Sequence, residues 1–116
     1  MTRDSTFAAD DHRSFNRDGA AFDKGETFSG VPYEVGLDAV EELKKLVPEG
    51  ATMAQFALRW ILMNEAVTVV IPGAKNKAQA NANSAAAALP ALSADVMAAA
   101  KAVYDTRIAP YVHQLW

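Results

Sequence analysis

The sequence predicts an α/β chain, and two observations carry that prediction. Val67, Thr68, Val69, Val70 and Ile71 are β-branched residues in unbroken succession, with no polar/apolar alternation. That is the pattern of a parallel strand covered on both faces. The strand is flanked on each side by a stretch that reads as a capped helix. Helix, short turn, strand, short turn and helix then follow one another as in a wound sheet or a barrel. No other stretch reads as a strand. A strand of this kind needs neighbours on both sides, so either another chain supplies the sheet or these residues belong to a larger protein.

The bulk properties narrow the class. The 116 residues are 51% hydrophobic and 22% charged, with a net charge of −3, which suits one soluble globular domain with a modest core. No basic surplus points to nucleic acid. Cysteine is absent, which excludes disulfides, thiolate metal sites and cysteine nucleophiles. Arg3, Asp4, Asp10 and Asp11 stand where a secretory leader would carry its apolar stretch. The apolar runs fall short of the roughly 20 residues of a membrane span. A reducing, cytoplasmic setting without nucleic-acid or membrane partners is the expectation.

Residues 1–36 show no convincing regular element, a long loop for so small a chain. Charges of both signs alternate there, and Phe7, Phe15, Phe22 and Phe28 recur at near-regular intervals. Asp18-Gly19, Gly25 and Gly30 break any helical seam. The phenylalanines are therefore read as pegs that pin an extended loop to a surface supplied by something else. His12, between Asp11 and Arg13, reads as solvated or ion-paired rather than as a ligand or base.

The helices follow from periodicity and caps. Leu37 to Val47 carries one apolar stripe through Leu37, Val40 and Leu43, and Pro48 and Gly50 end it. Thr52 and Gln55 form a T-x-x-Q capping box for a helix over 52–64. That helix is apolar almost all round and is expected to be largely buried, with Trp60 in the core. Arg59 either snorkels to solvent or pairs with a carboxylate. Ser93 caps a last helix over Ala94–Arg107, which Pro110 closes. His113 in the tail reads as structural, and Trp116 is expected to dock against the fold.

The corner after the strand is the candidate site. Pro72 ends the strand, Gly73 permits a tight turn, and Asn76 with Gln79 caps a helix over 76–88. A helix N-terminus at the carboxyl end of a parallel strand offers unpaired N–H groups to a phosphate. An ordinary strand-turn-helix without ligand fits the same residues. Asn81 and Asn83 are poor interior helix formers and call for an explanation. Asn83 lies on about the same face as Asn76.

Taken together, T-M-A-Q-F-A-L-R-W-I-L, V-T-V-V-I-P-G-A-K-N with Q-A-N-A-N, the loop D-D-H-R-S-F-N-R-D-G-A-A-F-D-K-G-E-T-F-S-G and the tail V-H-Q-L-W resemble the C-terminal part of a bacterial aldo-keto reductase. The resemblance implies a fragment of a (β/α)₈ TIM barrel, mostly helical if isolated. Residues 1–36 would follow barrel strand seven, and 37–116 would hold the last α-β-α unit, the final helix and the tail. Val67–Ile71 would be the eighth strand. Phosphates commonly sit at the loops after strands seven and eight of such barrels. By resemblance, Gly73, Ala74, Lys75 and Asn76 would surround the 2′-phosphate of NADPH, with Lys75 as its charge partner. Gln79 and Asn83 would face the adenine-ribose end. The sequence departs from the family pattern at Ala82, where many relatives carry an acid, and at Asn76, where several carry Arg.

The family's catalytic Asp, Tyr, Lys and His have no counterpart here, and no catalytic role passes to Tyr33, Tyr104, Tyr111, His12 or His113. The implied function is part of an NADP-dependent oxidoreductase that reduces aldehydes or ketones, with the chain alone inactive. Its partners would be the remainder of the barrel or other copies of the chain. The alternative is a non-catalytic nucleotide-binding module, or a structural module whose copies share strands.

Overall fold

A computed structural model describes residues 1–115, and Trp116, whose docking the sequence led us to expect, lies outside them. The chain divides into two compact units. One comprises residues 1–43 and the chain from Ala100 onward; the other comprises Lys44–Ala99.

In the first unit, α1 (His12–Phe15) is a single turn started by Asp11, whose carboxylate accepts from the Arg13 N–H. Short 3₁₀ turns follow at Lys24–Glu26 and Phe28–Gly30. The loop thus holds more regular structure than its composition suggested. Asn16 is the reason. Its side chain is fully buried, and its Oδ1 accepts from the N–H groups of Ala21 and Phe22 at 2.8 and 2.9 Å. Its Nδ2 donates to the Thr27 hydroxyl at 3.2 Å, and Thr27 is buried too. These bonds satisfy the polar groups that burial would otherwise leave costly.

The phenylalanines pack against one another and Tyr33, while Phe15 and Phe22 stay 47% and 37% exposed. Phe28 lies 4.7 Å from Tyr33 between ring centroids, Phe7 packs on both, and Phe15 meets Phe22 edge-on. Aromatic pairs of this kind favour tilted and edge-to-face geometry, so the loop supplies an anchoring surface for Phe7 and Phe28 itself.

Helix α2 (Tyr33–Lys44) starts four residues before Leu37. Pro32 sits just before it, where a residue without an N–H does no harm. It ends before Val47 because the residue ahead of Pro48 is pushed out of the helical region. Leu37 and Ala39 are buried in this unit with Ala100, Val103 and Val112.

The end of the chain corrects a second expectation. Pro110 does not close the last helix. After α5 (Ala94–Val103) comes a π-turn over Tyr104–Ile108, in which the Ala109 N–H bonds to the carbonyl of Tyr104, and α6 (Ala109–Val112) carries Pro110 in its first turn. A proline would clash with the carbonyl four residues back and cannot donate. The ladder accommodates it by widening. The Thr106 hydroxyl donates to the carbonyl of Ala102 at 2.7 Å beside the widened turn.

In the second unit, α3 (Met53–Leu62) has the Thr52/Gln55 capping box complete in both directions. Phe56 is its buried residue, and Ala86 and Leu92 are buried in the same unit. Helix α4 (Lys77–Ala85) continues as a 3₁₀ turn over Ala86–Ala88. Its small side chains let it lie close, against α3 rather than against a sheet. Arg59 pairs with no carboxylate among the described residues: its guanidinium donates, in solvent-exposed hydrogen bonds, to the carbonyls of Ala87 and Pro90 at 3.4 and 3.3 Å. Carbonyls freed at a helix end attract a cation.

Two buried elements of the sequence reading are not buried here. Trp60 is 42% exposed, because one face of α3 is covered and the other is not. The strand is also corrected: among the described residues there is no β-strand, and Val67–Ile71 is irregular backbone without a ladder. Val69 is 69% and Ile71 91% exposed. A strand is defined by its neighbours' hydrogen bonds, and this segment has none within reach.

Candidate functional site

The candidate site is the corner from Gly73 to Asn83 in the second unit. Asn76 adopts extended backbone, and its side-chain oxygen accepts from the Gln79 N–H at 2.9 Å, as an N-cap does. The reciprocal bond reaches one residue further than in a capping box: the Gln79 side-chain oxygen accepts from the Lys75 N–H at 2.7 Å. Asn83 donates to the carbonyl of Gly73 at 3.2 Å. The two interior amides thus fold the approach segment back over the first two turns of α4. This accounts for Asn83; Asn81 is exposed, and no bond of its side chain is seen among the described residues.

Of the six residues singled out in the sequence, five are tied together by these bonds. Ala74 joins Asn83 in lining an open groove of about 380 Å³, whose other walls include Leu58, Leu62, Val70 and Ala87. All of Gly73–Ala80 is exposed.

The electrostatics favour an anion. An N-cap leaves the first helical amides without intrahelical partners, here those of Lys77 and Ala78. The helix dipole places positive potential at that end, and natural helices usually answer it with an acid. The first turn of α4 contains none. Instead, lysines stand on both sides of the cap, at 75 and 77. No acid lies within ion-pair distance of either among the described residues. This donor set suits a phosphate group: helix-start amides without intrahelical partners, two exposed lysines and no acid in the first turn. Lys77 was missed in the sequence, although the K-N-K spacing around a cap was the signal for it.

The remaining titratable candidates are occupied structurally. His12 Nδ1 lies 3.3 Å from the Thr27 hydroxyl, with its ring stacked on Phe22. His113 Nδ1 lies 3.0 Å from the Tyr104 hydroxyl. Arg13 holds the Asp11 carboxyl well below the usual carboxylate range, by direct side-chain hydrogen bonding first and by its backbone N–H second. Among the described residues no group of three or more His, Cys, Asp or Glu is arranged to hold a metal. No helix among them is long and apolar enough to cross a membrane.

These features are two helices joined by an exposed corner, with a helix start flanked by lysines. Residues 1–105 match the family model of the Aldo/keto reductase family. The chain belongs to that family, whose fold is a TIM barrel and whose members are oxidoreductases that typically use nicotinamide cofactors. A search of the curated proteins finds no match, and a search of the solved structures finds none either.

Proposed function

We propose that the chain contributes the adenosine-phosphate corner of an NADP-dependent aldo-keto reductase that reduces aldehydes or ketones. The catalytic Asp, Tyr, Lys and His come from barrel strands outside these residues, so the chain is inactive by itself. Val67–Ile71 is read as the last strand of that barrel, awaiting its neighbours, and the cytoplasm remains the expected setting. The observation that carries the reading is the start of α4: lysines 75 and 77 about an asparagine cap, with no acid in the first turn.

What the cofactor supplies when bound is a hydride for a carbonyl carbon. What these residues do is hold its far end. The Lys77 and Ala78 amides and the Lys75 side chain meet the 2′-phosphate, and Gly73 and Ala74 let the backbone approach it closely. Gln79 and Asn83 keep the 73–75 segment folded over the helix start, and their unused amide atoms face the adenine-ribose end.

In the full-length parent, Lys75→Ala is expected to weaken NADPH binding by about tenfold, the usual worth of a charge-assisted contact, and to leave NADH binding unchanged. Equal losses for both cofactors would remove the 2′-phosphate assignment. Turnover of any aldehyde or ketone by the pure 116-residue chain would refute the division of labour.

One observation favours a second reading. The bare segment Val67–Ile71, apolar and unpaired, is the kind of edge that recruits another strand. Copies of this chain would then complete one another's sheet without catalysis. Size exclusion separates the two: a monomer argues against strand sharing.

A further inference from the structure

The first unit carries two adjoining grooves that the cofactor corner does not use. One, of about 240 Å³, is apolar and is walled by Phe28, Val31, Tyr33, Leu37 and Val40. The other, of about 230 Å³, is the more polar of the two, with Arg17, Asp18, Lys24 and Thr27 on its walls. Val31 and Pro32 border both.

The chain has arginines at 3, 13, 17, 59 and 107. Arg3 pairs with Glu34 and Asp38, Arg13 with Asp11, and Arg107 with Glu42. Arg59 is held by carbonyl oxygens. Arg17 alone has no oxygen partner among the described residues; its guanidinium sits 4.8 Å over the Tyr33 ring. A guanidinium stacked on an aromatic face keeps its planar edge of donors free for a carboxylate. Tyr33 faces the apolar groove and carries Arg17 at the border of the polar one. Lys24 adds a second cation there, against the one acid, Asp18.

The turn between the grooves is held in an uncommon conformation. Phe28 and Ser29 have φ of 51° and 56°, and Gly30 follows at 76°. Bulky residues rarely adopt such angles, and where they persist they often lie beside ligands.

We propose that this unit binds a small amphipathic carboxylate, its apolar body against Phe28, Tyr33 and Leu37 and its carboxylate on Arg17 and Lys24. The site lies within the first unit and owes nothing to the Lys75 corner. Loss of the cofactor reading would therefore leave it standing.

The test is a titration of the full chain with hexanoate, followed by NMR, with hexanol and inorganic phosphate as comparisons. Saturable binding is expected, with hexanoate at least about tenfold tighter than hexanol. Arg17→Gln should abolish that preference, Arg17→Lys should keep part of it, and Lys24→Gln should reduce it. Lys101→Gln, remote from both grooves in sequence and lining neither, should leave it unchanged. Should Arg17→Gln fail to fold, the exposed Lys24→Gln change still decides. Absence of saturation, hexanol binding as tightly as hexanoate, or insensitivity to both substitutions would overturn the proposal. Phosphate competing as well as hexanoate would overturn the amphipathic class.

Discussion

The loop from Asp11 to Gly30 and the corner from Val67 to Asn76 are both irregular backbone, yet they are held in opposite ways. The loop closes on itself. Asn16 is buried and spends its oxygen on two amides and its nitrogen on Thr27, while the phenylalanines pack among themselves and Tyr33. The corner is open, with Ile71 at 91% exposure and the Val67–Ile71 segment in no ladder among the described residues. The difference teaches that missing secondary structure is a poor guide to what a segment needs. Where side chains satisfy the backbone, irregular chain is self-sufficient. Where they do not, it waits for a partner.

Four experiments press on that contrast. Asn16→Ala removes the side chain that accepts from the Ala21 and Phe22 amides and leaves the buried Thr27 hydroxyl without that donor, so a loss of about 2–3 kcal/mol is expected in chemical denaturation. A loss under about 0.5 kcal/mol would mean the aromatic packing holds the loop alone. Asn76→Ala should cost about 1 kcal/mol, the ordinary worth of an N-cap, and should fray the start of α4 in amide exchange before anything else loosens.

An acid titration probes the loop from its other end. Asp11 has a carboxyl lowered in the folded state by Arg13, so its contribution is present above the unfolded pKa of about 4 and is lost as the pH falls below it. A carboxyl signal for Asp11 that titrates near the usual value would break the Asp11–Arg13 pair as a feature of the loop. The smallest effect belongs to Ile71→Ser. In the 116-residue chain it should change stability by under about 0.5 kcal/mol, as surface changes do. In a longer chain where this segment is covered on both faces, the same change should cost at least about 2 kcal/mol. Equal effects in the two chains would erase the distinction between loop and corner.

What could be read in advance followed the range of the interaction. The Thr52/Gln55 box and the Asn76 cap involve residues three apart, and both form. Asn83 lies on the face of the cap, and its amide and that of Gln79 bond the backbone at 73–75, a fold-back that composition does not announce. Asn16 escaped notice because a buried asparagine in a charged loop leaves no periodic trace. The strand failed as a strand for the reverse reason: a β-branched run shows that a segment suits a sheet, while the ladder itself depends on neighbours, and none pairs with it among the described residues. Trp60 was misplaced in the same way, since an apolar helix reveals how much of itself wants cover, not whether the cover is present. Pro110 was taken as a stop because a widened turn that tolerates it has no sequence signature of its own.

That widened turn also acts as a rotational gear. Val103 and Val112 are nine residues apart, and both are buried in the first unit. On an uninterrupted α-helix, at about 100° per residue, they would point to opposite sides, roughly 180° apart. The π-turn absorbs about one residue of advance, which brings the two directions to within about 80° by the same arithmetic. Deleting Thr106 would run the helix straight with the two valines eight residues apart, again about 80° by the same arithmetic, so Val112 would keep its direction and the room made for Pro110 is what would be lost.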